Sequence, residues 1–208
     1  MASEELPAQP LMPLDGKVVD AAVSVLAESG WDGLTQERVA ERAGMSRVTT
    51  WRQGITRERL IGALLDRLGN DFRDTLWPVL TAPGNGAARL LLGLERLCDV
   101  IDRNVPLLTA TNKAFHWGFR EEYGASLIAF IEPYARFLTE GAADGSLRPI
   151  EGDVDEAAEV VFNTLCWTYL HLRSEHEVPT ERARGVVINL IMYGLAKEPS
   201  PASPDSGA

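Results

Sequence analysis

Cysteine is almost missing from this 208-residue sequence, which contains only Cys98 and Cys166. Both lie inside apolar helical patterns rather than in a CxxC, which excludes a disulfide scaffold and predicts two buried free thiols. Histidine is equally scarce, at His116, His171 and His176. There is no HExxH, and the i, i+5 spacing of His171 and His176 does not put two ligands on one helical face, so neither a metal site nor a cofactor is expected. A GxSxG, a Walker loop and a GxGxxG are all absent, and Gly84-Asn85-Gly86 follows no strand pattern and reads as a linker. An enzyme has little to work with here.

Long apolar runs are missing too. A membrane-spanning helix needs roughly 18 uninterrupted apolar residues, and the longest candidates are broken by Asp20, Ser24 or Asn163. The first residues, with Pro7, Pro10 and Pro13, carry neither the basic nor the apolar region of a signal peptide, which predicts no membrane association and a cytoplasmic location. Stretches of alternating apolar and polar residues are nearly absent, which argues against a sheet.

Net positive charge is also lacking. The formal charge is -10, which argues against broad coating of nucleic acid. Its distribution is uneven: between Gly16 and Leu60 seven basic residues face six acidic ones, so the remainder of the chain carries the acidity. An acidic body behind a mildly basic head suits a protein that touches DNA with one end only.

What remains is helical. One apolar face repeats through Val19, Ala22/Val23 and Leu26 and stops at Gly30; Trp31 and Leu34 follow as core plugs. Thr35 caps a second, short helix, Gly44 permits a tight turn, and Ser46 caps a third. Thr56 caps a longer fourth helix that ends before Pro78 and the loop Thr81 to Gly86. Further helical stretches run at about Ala87 to Asn104, Pro106 to Trp117, Glu121 to Glu140, Asp153 to His171 and Thr180 to Ala196. The expected organisation is a tail over 1–14, a DNA-binding domain over 15–60, an all-helical domain over 61–197, and a second tail over 198–208, the tails being Pro-, Ser- and Ala-rich.

A helix, a glycine-containing turn and a second helix opened by serine form a helix-turn-helix, whose second helix enters the major groove. The residues Lys17-Val18-Val19-Asp20-Ala21-Ala22, Leu26 through Thr35 and Val39-Ala40-Glu41-Arg42-Ala43-Gly44-Met45-Ser46 closely resemble the N-terminal domain of the TetR family of bacterial transcriptional regulators. The resemblance covers Gly16 to Leu68, about a quarter of the chain. It implies an all-α fold: a three-helix DNA-binding head joined by the fourth helix to a helical domain that dimerises and binds a small molecule. It also implies a regulator, by family default a repressor released by its effector. The rival is a degenerate member that binds ligand or protein without operator DNA.

In that family the third helix usually continues Ser, any, any, Thr, Leu, Tyr, any, His, Phe, where this chain has Ser46-Arg47-Val48-Thr49-Thr50-Trp51-Arg52-Gln53-Gly54. Trp51 replaces a tyrosine and Gln53 a histidine that reach phosphate; Thr50 replaces a buried leucine and Gly54 a phenylalanine, with Ile55 available to refill the gap. Carried over residue by residue, the resemblance implies phosphate grips at Thr35, Trp51, Gln53 and Arg57, with base readers at Gln36, Arg47, Val48 and Thr49; Ser46 and Arg52 belong to the same DNA-binding stretch. Arg38 and Arg42 read as partners of Glu37 and Glu41, or of residues on the neighbouring helix.

One helix-turn-helix makes few contacts, so a homodimer reading a palindromic double-stranded operator is expected. The last two helices supply the candidate interface: Val154, Ala158, Val161 and Leu165, then Val187, Leu190 and Tyr193. For the effector, the stretch Leu107 to Trp117 mixes aromatic and hydrogen-bonding side chains, with Thr109, Asn112, Phe115, His116 and Trp117 as candidates. Trp77, Phe130, Tyr134, Asn163 and Trp167 join them; Tyr169 is a weaker candidate because it lies roughly 120° around the helix from Asn163. A mostly apolar molecule bearing one or two oxygens fits this set, whether fatty-acyl, lactone or aromatic.

Overall fold

The computed structural model describes residues 13–115 and 119–195, apart from the side chains of 111–115 and 119–129. Both expected tails, apart from residues 13 and 14, lie outside the described residues, as do His116 and Trp117 and the side chains of Asn112 and Phe115. Among the described residues there are eight α-helices, one 3-10 turn and no strand. None of these helices is long and apolar enough to cross a membrane. The chain divides into two compact units after Arg67.

The first unit begins with α1 (Gly16–Ser29), opened by the Asp15 side chain accepting from the Lys17 amide at 2.8 Å. Its buried face is Val18, Ala21, Ala22, Val25 and Leu26, turned slightly from the expected Val19/Val23 register because two adjacent rows of the helix are covered. Next come α2 (Gln36–Arg42) and α3 (Arg47–Arg52). Leu34, Val39, Ile55, Leu60 and Leu64 complete the core. Gly44 takes φ +69 in the turn before α3, a left-handed conformation that costs an L side chain about 1 kcal/mol or more. Helix α4 (Arg57–Leu76) starts in this unit and continues into the second.

The second unit contains α5 (Gly86–Phe115), α6 (Phe119–Asp144), α7 (Val154–Ser174) and α8 (Thr180–Leu195). A 3-10 turn, Trp77–Thr81, precedes them, with Pro78 in its first turn. Helix α5 kinks where the sequence predicts two helices: Asn104 has φ -119 and ψ 16, and Pro106 cannot donate a backbone hydrogen bond. The bend is pinned from α4, as Asp71 accepts from Arg103 at 2.8 and 3.1 Å and from the Asn104 amide at 2.7 Å. The core is closed by Leu90, Leu94, Ile101, Tyr134, Phe137, Leu165 and Tyr169. Gly86 lies against the Gly141 backbone so closely that a Cβ would fall 2.1 Å from its nitrogen.

Cys98 and Cys166 are the buried free thiols expected. Burial pushes each of them up to about 12, so neither is a nucleophile at neutral pH.

Candidate DNA interface and effector site

Helix α3 is only six residues long, so its ends decide its position. Ser46 Oγ accepts from the Thr49 amide at 3.2 Å and lies 2.9 Å from the Thr49 hydroxyl, fixing the first turn. At the other end one Arg59 nitrogen donates to the carbonyls of Gln53 at 2.6 Å and Gly54 at 2.8 Å. Those carbonyls are acceptors that a short helix leaves open. Arg59 had no assigned role in the sequence. The usable signal is a cation a few residues past a helix end.

Capping leaves one face outward. Val48 is 73% exposed and Trp51 82%, with Arg47, Arg52 and Gln53 exposed around them. Thr49 and Gln36 are partly covered and Ser46 is exposed. Two large apolar side chains flanked by two cations, held on a rigid turn of helix, can meet thymine methyls, base acceptors and phosphate oxygens. Thr50 points the other way and is buried, donating its hydroxyl to the Ser46 carbonyl at 3.0 Å. Gly54 adopts φ +58, and Ile55 is buried beside it in the core. The departures at 50 and 54 are thus absorbed by a back-bonded hydroxyl and by a neighbouring isoleucine.

Thr35 accepts from the Arg38 amide at 3.3 Å and caps α2. Arg57 is partly engaged: its guanidinium donates to the Trp31 carbonyl at 2.9 Å and lies 5.5 Å from the centre of the Trp31 ring. Arg42 pairs with Glu28 of α1 through two bonds of 2.7 and 2.5 Å, so of the two partners open to it the neighbouring helix is the one used. The Arg42 hydrogen bond holds the Glu28 carboxyl below its ordinary value.

In the second unit Phe72 (α4), Phe130 (α6) and Phe162 (α7) form an aromatic cluster, with centroids 4.6 Å apart for Phe72–Phe130 and 6.4 Å for Phe130–Phe162. Phe72 and Phe162 are buried members of the hydrophobic core, and Phe130 is partly buried against them. Thr109 Oγ1 is buried without a hydrogen-bond partner among the described residues. An orphaned hydroxyl of this kind costs about 1–3 kcal/mol unless something fills its valence. Asn163 accepts from the Trp167 indole at 3.0 Å.

Three candidates need correction. Tyr134 is fully buried and spends its hydroxyl on the Gly93 carbonyl at 3.1 Å, so it is core. Tyr169 is also fully buried and donates to Asp102 at 2.8 Å. Trp77 is 64% exposed in the 3-10 turn, because Pro78 ends the helical register that would have turned it inward. Asp102 also accepts from Arg173 at 3.1 Å and Arg184 at 2.8 Å, tying α5, α7 and α8 together. Burial pushes the Asp102 carboxyl up, but Arg184, Tyr169 and Arg173 outweigh it and hold it below its ordinary value.

The interface set also divides. Ala158, Val161, Leu165 and Val187 are buried within this chain and are corrected to protomer core, and Val154 is half-buried. Leu190 and Tyr193 are 67% and 81% exposed, and Val160 and Val186 share the outward faces of α7 and α8 with them. Both helices are apolar on two sides, so periodicity could not say which side is inward.

No family model matches the chain. A fatty acid metabolism regulator protein of Bacillus subtilis is 22% identical over 153 residues, spanning 72% of this chain and 78% of that relative. A solved TetR/AcrR-family regulator from Thermobifida fusca superimposes with a TM-score of 0.68 at 19% identity, over 86% of this chain and 96% of its own. The chain has the TetR fold. A putative fatty acid metabolism regulator of Clostridium perfringens superimposes on the chain with a TM-score of 0.72 at 18% identity, over 88% and 100% of the two chains. Within this TetR fold α3 is the second helix of the helix-turn-helix, and α7 and α8 are the last two helices among the described residues.

Proposed function

We propose that this chain is a transcriptional regulator that binds a palindromic operator as a homodimer through α3 and leaves it when a small, largely apolar effector occupies the second unit. The observation that carries the reading is the outward face of α3, where Arg47, Val48, Trp51 and Arg52 stand clear of the core on a helix capped at both ends. Exposing a tryptophan and a valine between two cations has no benefit for folding.

The exposed apolar residues Val160, Val186, Leu190 and Tyr193 support pairing of two chains through α7 and α8. The half-buried Phe130, packed on the core rings of Phe72 and Phe162, and the Thr109 hydroxyl, which lacks a partner among the described residues, support an effector with an apolar body and an oxygen. We favour a fatty-acyl compound over a lactone or an aromatic, because the relatives from Bacillus subtilis and Clostridium perfringens are described as fatty acid metabolism regulators. Repression relieved by effector is the proposed sign. Because α4 belongs to both units, a ligand that changes its position changes the head, and linkage requires DNA and effector to weaken each other equally.

A gel shift on the DNA upstream of the protein's own gene, repeated over a salt series and with added acyl-coenzyme A or free fatty acid, tests this. A sequence-selective complex that falls steeply with salt and dissociates with the acyl compound is expected. Failure of every duplex to shift above non-specific DNA would sink the DNA reading.

A further inference from the structure

His171 and His176 come together although their spacing argues against it. Helix α7 ends at Ser174, and Glu175, whose amide donates to the His171 carbonyl at 3.0 Å, closes its last turn. Glu177 then takes φ 49, the one positive φ at a non-glycine residue among those described. Such a conformation is sparsely populated for glutamate and is held only where its surroundings enforce it. The resulting turn carries the His176 ring back over the helix end, and the two Nε2 atoms stand 3.1 Å apart on exposed side chains.

The ring geometry says what this pair suits. A straight N–H···N bond of that length would put the ring centres about 5.4 Å apart, with both rings pointing head-on. The centres are 4.7 Å apart and the rings are at 87°, so the nitrogen axes are bent towards each other. Two imidazole nitrogens each about 2.05 Å from one shared zinc-class ion, with the 3.1 Å separation seen here, subtend about 98° at the metal and place the ring centres about 4.8 Å apart. A chelate therefore reproduces both distances, and the straight hydrogen bond reproduces one. The C-terminal end of α7 adds a helix-dipole field that favours a cation.

We propose that His171 and His176 form a two-histidine binding site for a borderline divalent transition-metal ion of the Zn2+, Ni2+ or Cu2+ class. Among the described residues no third metal-ligating side chain joins them, so water fills the other coordination positions. Imidazole pairs select this class over Mg2+ and Ca2+, which require oxygen ligands. This site is independent of the proposed DNA and effector surfaces.

The test uses the full-length, untagged protein, stripped with chelator and titrated with Co2+ followed by its visible absorption bands, then with Zn2+ in competition. Saturable binding of one ion per chain is expected, weakened about tenfold or more in both His171→Gln and His176→Gln. Both key side chains are exposed, so circular dichroism of the metal-free variants should match the parent. Absence of saturable binding by the parent protein overturns the proposal, since the pair would then be only a hydrogen-bonded dyad. So does binding by both variants as tight as the parent's, since the ion would then sit elsewhere.

Discussion

The Thr50 hydroxyl donates to the Ser46 carbonyl at 3.0 Å, one turn back along α3, from a side chain only 3% exposed. A polar residue thus sits on the inward side of α3 without an unsatisfied group, and its methyl still packs. Thr50→Ala removes both the bond and the methyl, and should destabilise the protein by about 1–2 kcal/mol in urea denaturation. A loss well above that would mean that the hydroxyl supports a larger network than the one bond seen.

Arg47 and Trp51 stand on the opposite side of the same helix and are exposed. Arg47→Ala should leave the melting temperature within a degree or two while reducing discrimination between operator and random duplex by about 1–3 kcal/mol. Trp51→Ala should weaken operator and random duplex by a similar factor, since an indole N–H gripping phosphate carries no sequence information. Fluorescence anisotropy with both duplexes separates the two outcomes.

Leu190 and Leu165 test the assignment of the last helices. Leu190 is 67% exposed and Leu165 is fully buried. Leu190→Asp should shift sedimentation velocity from dimer towards monomer with the helical spectrum intact. Leu165→Ala should instead cost about 2–5 kcal/mol of stability by opening a cavity inside the protomer.

Asp102 and Asp99 give the second unit an acid limit. Both carboxyls are held below their ordinary value: burial raises them, and the Arg184 guanidinium bound to both overcomes it. A depressed carboxyl stabilises the fold above its unfolded value of about 4 and loses that contribution as the pH falls through the lower, folded value. Thermal melts should therefore hold steady above about pH 5 and fall below about pH 4. Asp102→Asn should lower the plateau and flatten the acid limb; an unchanged limb would remove the network from this role.

Gly86 and Gly62 should respond in opposite directions to alanine. A Cβ at Gly86 would sit 2.1 Å from Gly141 N and 2.2 Å from its Cα, backbone that cannot move aside, so Gly86→Ala should cost about 2 kcal/mol or more. Gly62 lies inside α4 with nothing within 4 Å, and Gly62→Ala should add about 0.5–1 kcal/mol. Melting curves of the two variants check both signs.

Much of this was legible in one dimension. The caps at Thr35, Ser46 and Thr56, the glycine turn at 44 and the break at Asn104–Pro106 are local events, set by side chains within a few residues of the backbone they satisfy. What sequence reasoning missed involved partners distant in the chain or a choice between equivalent faces. The Tyr134 hydroxyl bonds to Gly93, and Tyr169 to Asp102, both far away in sequence, so neither could be told from a pocket wall.

The linear order of residues by itself determined the all-helical class and the helix-turn-helix, because each follows from periodicity and capping at short range, and the resemblance to a known family marked the residues of α3 that face outward. Only the tertiary structure decided which side of α7 and α8 is core, that Arg59 closes α3, and that two histidines five positions apart meet beyond the end of a helix. The physical reason is that an apolar stripe records that a face is hidden but not by what, and a chain leaving its helix no longer obeys the helix's spacing.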